Sequence, residues 1–116
     1  MESIIVRQHV TLADVAAHAR DSYGDFVKAV VDIQRQLMAM GGEMHADDEA
    51  LLIDDGSGQS DLWGINLYPE EHGSDGFIEY DSMINLRPRQ GNRTTGVDDQ
   101  ATREKIVAVV ARLVQP

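Results

Sequence analysis

An α+β fold, with an antiparallel sheet of about five strands in a meander and an N-terminal and a C-terminal helix packed on one face, follows from three observations on this chain. Apolar residues recur at helical spacing most regularly near the two ends. The centre holds short runs of strand-forming residues. Clusters rich in Gly, Asp and Ser punctuate those runs.

Ser3-Ile4-Ile5-Val6 reads as a short strand. Thr11 then offers an N-cap hydroxyl, with Asp14 placed to complement the helix dipole, and Leu12, Val15, Ala16, Ala19 and Tyr23 form one apolar stripe before Gly24 ends the pattern. The stretch from Asp25 to Gly42 satisfies two patterns. Phe26, Val30, Ile33, Leu37 and Met40 line one helical face, whereas the valines and Ile33 favour strands, with Gln34-Arg35-Gln36 as a polar turn between them. Further strands are expected at Ala50 to Ile53, Leu62 to Tyr68 and Phe77 to Leu86.

If the loop from Pro69 to Gly76 closes a regular hairpin, Tyr68 faces Phe77, and Leu67, Ile65 and Trp63 pair with Ile78, Tyr80 and Ser82 on one face. The other face then carries Asn66 opposite Glu79 and Gly64 opposite Asp81, a polar row. Asp98 and Asp99 supply negative charge to a final helix from Gln100 to Val114, whose stripe is Ile106, Val109, Val110 and Leu113.

At 116 residues the chain suits one domain, burying roughly 65% of its extended surface with no disulfide or structural metal needed. A net charge of −10 argues against bulk affinity for nucleic acid or anionic lipid. Apolar runs fall far short of a membrane helix and no signal-peptide pattern is present, so the expected location is the cytoplasm. With no cysteine, thiolate catalysis and iron–sulfur chemistry are excluded, and any divalent metal ion would need His, Asp or Glu ligands.

Charge is segregated along the chain. No Lys or Arg lies between Arg35 and Arg87, an interval holding twelve of the twenty acidic residues, and Arg87, Arg89 and Arg93 then fall within seven positions. Asn85, Arg87, Arg89, Asn92 and Arg93 make a candidate site for a small anionic ligand or a partner, because guanidinium forks grip phosphate or carboxylate at two points. The same arginines suit an internal clamp on the protein's own carboxylates. His45, Asp47 and Glu49 are candidate metal ligands, although they match no established ligand spacing and also read as a solvated turn. Glu79 and Asp81 point the same way, so mutual repulsion would suit one of them to acid catalysis. Trp63 reads as a packing anchor, and His9, His18 and His72 as surface.

From Val27 onward the chain resembles a family of short bacterial proteins catalogued as a domain of unknown function. The resemblance rests on VKAVVDI (27–33), GGEMHAD (41–47), DLWGINLYP (61–69) and DSMINLRPRQGNR (81–93). It implies a strand-rich first block, which favours the hairpin over the helix for Asp25 to Gly42, and it implies no activity or catalytic residue. Two functional readings fit the residues. The first is a non-catalytic binding or assembly module, self-association included, that works through the arginine loop and an acidic turn. The alternative is a metal-dependent hydrolase of an anionic substrate such as a phosphoester, with Arg87 or Arg93 holding the anion.

Overall fold

Both terminal helices start where their caps place them. The computed structural model describes residues 2–116. After strands β1 (Ile4–Val6) and β2 (Val10–Thr11), helix α1 (Leu12–Asp21) opens with the Thr11 hydroxyl accepting from the Asp14 N–H at 3.1 Å. Gly24, at φ 89°, closes it by donating to the Ala19 carbonyl at 2.7 Å, a left-handed position that glycine takes without strain.

The Asp25 to Gly42 stretch is a hairpin of β3 (Val27–Asp32) and β4 (Leu37–Met40). Its turn needs Gln36 at φ 58° and is organised by Asp32, whose Oδ1 accepts the Gln34 and Arg35 N–H groups at 2.9 Å each. β5 (Leu62–Leu67) lies on the other side of β3 and carries β6 (Ile78–Glu79). The five-stranded antiparallel sheet runs β1-β4-β3-β5-β6, two hairpins joined through β3. Helix α3 (Gln100–Leu113), capped by the Asp99 side chain on the Thr102 N–H at 2.9 Å, leads into β7 (Val114–Gln115), which pairs parallel with β2.

Two segments depart from expectation. Ala50 to Ile53 is not a strand but part of α2 (His45–Asp54). The Asp47 carboxylate accepts the Met44 N–H at 3.0 Å and so builds a helix start within the run that reads as a solvated acidic turn. The expected strand from Phe77 to Leu86 pairs with β5 only as far as Glu79. Asn66 meets Glu79, Leu67 meets Ile78 and the Tyr68 N–H reaches the Phe77 carbonyl, as the alternation requires, but the chain then leaves the sheet through a 3-10 turn at Met83–Asn85.

The sheet therefore has two packed faces. Val27, Ala29 and Val31 of β3, with Met38, Met40, Trp63, Ile65 and Leu67, join Val15 and Ala19 of α1 and Ile106, Val109, Val110 and Leu113 of α3 in the main core. On the opposite face Val30, Ala39 and Leu62 pack with Leu52 of α2, which covers part of a face expected to be polar throughout. What stays polar there is the end nearest β6. No helix among the described residues is long and apolar enough to cross a membrane.

Candidate functional site

Because β6 stops at Glu79, the outer edge of β5 at Gly64 has no strand beside it. The Asn85 carboxamide takes that place. Its Oδ1 accepts the Gly64 N–H at 2.8 Å, and its Nδ2 donates to the Gly64 and Thr95 carbonyls at 2.9 and 3.0 Å, one side chain standing in for a peptide unit. Gly64 has to be glycine for this approach, since a Cβ there would lie 2.5 Å from Ser82 Cβ and Oγ.

Asn92 ties the same loop. Its Nδ2 reaches the Asn85 and Gly96 carbonyls at 2.8 Å each, its Oδ1 accepts the Asp98 N–H at 2.8 Å, and its backbone bridges to Arg87. The Arg87 guanidinium lies 4.6 Å from the Trp63 ring centroid and donates to the carbonyls of Ile84 (2.8 Å), Gln59 (3.0 Å) and Leu62. Burial pushes its pKa down and Glu49 opposes that shift. Asn85, Arg87 and Asn92 are thus engaged internally, with carbonyls rather than the expected carboxylates as the main acceptors. Arg89 and Arg93 are exposed. The ion pairs among the described residues join Asp55 to Arg7 (2.5 Å) and to Arg35 (2.7 Å), not to these arginines.

His45, Asp47 and Glu49 do not form a shared shell, and no three His, Asp or Glu side chains among the described residues converge to hold a metal ion. Helical geometry separates them: Asp47 turns back to cap Met44, while Glu49 lies within the field of Arg87. His45 is 7% exposed, and its Nε2–H donates to the Ile65 carbonyl at 2.8 Å, which fixes Nδ1 as the unprotonated nitrogen of the neutral ring. Burial lowers its pKa and Lys28 adds to that, against the opposing effects of the Ile65 carbonyl, Asn66 and Asp81.

The neighbouring Asp48 is buried, with Oδ1 accepting from Ser3 Oγ at 2.7 Å and the Gly42 N–H at 3.0 Å. Burial pushes its carboxyl from 3.8 up to about 6. The folded state then binds this proton more tightly than the unfolded chain, so Asp48 costs stability as pH rises from about 4 to 6, by up to roughly 3 kcal/mol. Asp48→Asn keeps the Oδ1 acceptor. It is expected to stabilise the protein by about 1–2 kcal/mol at pH 7.5 and to change little at pH 4. Urea unfolding at both pH values checks this, and an unaltered pH slope would contradict it. Asp55, held down at about 2 by Arg7 and Arg35, acts in a lower window, its contribution being lost as pH falls from about 4 to 2.

Beside α2 the uncovered part of the sheet forms a cleft of about 370 Å³. Its floor is a row across three adjacent strands, Lys28 of β3 opposite Asn66 of β5 and Asn66 opposite Glu79 of β6. Asn66 Nδ2 donates to Glu79 Oε1 at 2.8 Å, and the Tyr68 hydroxyl donates to that same oxygen at 3.2 Å. Asn66 is 6% exposed, and its Oδ1 meets no donor at hydrogen-bond geometry among the described residues. His45 and Ala46 of α2, Asp81 and Ser82 close the polar side, while Phe26, Met44, Met83 and Ile84 make the apolar border.

A family model described as "Protein of unknown function (DUF5674)" matches residues 4–113. The chain belongs to that family. No curated protein and no solved structure matches it. The DUF5674 description names no activity.

In this DUF5674 chain, sequence pattern placed Asn66 and Glu79 opposite each other on a polar face, and the structure bears out that pairing. Glu79 and Asp81 do not continue one strand, because pairing ends at Glu79. Lys28 and His45 were not assigned to that face. Alternation along Val27 to Val31 is the signal for Lys28, once the hairpin is known. His45 had no such signal, since its position depends on α2 crossing the sheet.

Proposed function

We propose that this DUF5674 protein is a binding module whose recognition site is the cleft above Lys28, Asn66 and Glu79, and that it binds a small polar ligand there. The observation that carries this reading is the row of Lys28, Asn66 and Glu79 across three adjacent strands on the floor of a concave site, a cation and an anion flanking a buried amide. Concave sites with a few convergent polar groups and an apolar border are the usual form of a small-ligand pocket. A binding role suits the site better than a catalytic one. Ser82 Oγ accepts the Ile84 N–H as a turn cap, at 3.3 Å, and packs against Gly64, so the serine that borders the cleft serves the turn. The metal-hydrolase reading gains no support from the arrangement of His45, Asp47 and Glu49.

The arginine loop fits a different role in this reading. Asn85, Arg87 and Asn92 hold the loop against β5, leaving Arg89 and Arg93 as outward cations. Amide chemical-shift mapping discriminates the two surfaces. Titration with leucine, butylamine, acetate and inorganic phosphate is expected to move the amides of Lys28, Asn66 and Glu79 for at least one probe. Shifts confined to Arg89 and Arg93, or no shifts at all, would remove the cleft as the recognition site.

A further inference from the structure

Building on the cleft as recognition site, we infer that its ligand is a zwitterion with ammonium and carboxylate on one carbon, a free α-amino acid with an apolar side chain. The floor is graded in charge. Adjacent strands lie about 4.8 Å apart, so the Lys28 and Glu79 backbones stand roughly 10 Å from each other with the Asn66 amide midway. Both outer side chains are long enough to lean inward over that amide. One end of the row is a cation and the other an anion, a pattern complementary to a small dipolar ion.

Each end has reinforcement. Lys28 is in neither of the ion pairs among the described residues, and its Nζ lies 5.0 Å from the Tyr23 ring centroid. At the same end the first residues of the ten-residue α2, His45 and Ala46, border the cleft, where a helix presents N–H groups with no intrahelical acceptor. These donors suit a carboxylate. Toward β6, Glu79 and Asp81 both border the cleft, and two carboxylates suit an ammonium group. His45, held neutral by burial, does not repel that ammonium.

The apolar border accounts for the rest of the ligand. Met44 and Met83 are 54% and 74% exposed beside Phe26 and Ile84, and flexible thioether side chains adapt to apolar groups of different shape. A simple amine would face Lys28, and a simple anion would face Glu79 and Asp81. A dipolar ion meets a complementary group at both ends, and about 370 Å³ holds a single amino acid.

Isothermal titration calorimetry on the full chain with L-leucine, L-leucine methyl ester and N-acetyl-L-leucine tests this, with amide-shift mapping of each compound. Leucine is expected to bind in the cleft, with each capped analogue at least tenfold weaker. Lys28→Met is expected to weaken leucine severalfold and leave the methyl ester unchanged. Glu79→Gln is expected to weaken leucine severalfold and leave N-acetyl-leucine unchanged, with Asp81→Asn serving the same arm should Glu79→Gln melt early. If a capped analogue binds in the cleft as well as leucine does, the dipolar-ion inference falls and the cleft stands. If none of the three binds, or their shifts lie elsewhere, the dipolar-ion inference falls, and the cleft falls with it only if butylamine, acetate and phosphate also leave the Lys28, Asn66 and Glu79 amides unmoved.

Discussion

Asn85→Ala is expected to destabilise the fold by about 3–4 kcal/mol, the upper range for a single substitution, because one truncation strips partners from several buried backbone groups at once. The Gly64 N–H loses its acceptor and the Gly64 carbonyl its donor, while the Thr95 carbonyl is left with the Ser82 N–H alone. No strand can slide in to replace the carboxamide. β6 has already ended, and Ser82 sits where a Cβ on Gly64 would be. Arg87 depends on the same geometry, since the loop that Asn85 anchors places the guanidinium on Trp63. For a chain of this size the melting temperature should drop by about 12–16 °C. Asn85→Asp retains the acceptor for Gly64 N–H but sets a carboxylate against two carbonyls, so it should also be severely destabilised. A melting temperature within about 4 °C of the parent for Asn85→Ala would mean that the carboxamide is not the edge partner of β5.

Asp32→Ala is the second large effect, at about 3 kcal/mol. The Asp32 carboxylate is fully buried at the end of β3. Its Oδ1 accepts the Gln34 and Arg35 N–H groups, and its Oδ2 accepts the Ser57 hydroxyl at 2.6 Å. Ser57 Oγ in turn accepts from Arg35 Nη1 at 2.7 Å, while Arg35 Nη2 reaches Asp55 beyond the end of α2. Alanine removes the acceptor for three donors and loosens the β3–β4 turn from α2 together. Asp32→Asn keeps Oδ1 for the turn and presents an amide to Ser57, so its expected cost is about 1 kcal/mol. Urea unfolding of both variants measures the difference. Equal losses for the two would indicate that charge, not turn geometry, is what Asp32 supplies.

Local pattern sufficed where the deciding interaction lies within a few residues. The Thr11 and Asp99 caps act on N–H groups three positions ahead, so α1 and α3 were legible with their starts. Strict alternation likewise set the register of Leu67 against Ile78 and sent Trp63, Ile65 and Leu67 into the main core. The run Ala50 to Ile53 is too short to show a period. It became helix because Asp47 caps Met44 and because the sheet's second face had room for Leu52, and the second of these is a fact about the whole molecule.

The site lies wholly on the non-local side. Asn, Arg and Gly around positions 85–93 suit a bound anion and an internal clamp equally well by residue type. The endpoint of β6 committed Asn85 to Gly64 and so drew the loop inward. Lys28, His45, Asn66 and Glu79 meet only because β3 takes the centre of the sheet with β5 beside it while α2 crosses above. Periodicity and capping are short-range properties of a chain. Which strands become neighbours is set by how all the apolar faces are buried together, and that balance is struck only when the entire chain packs.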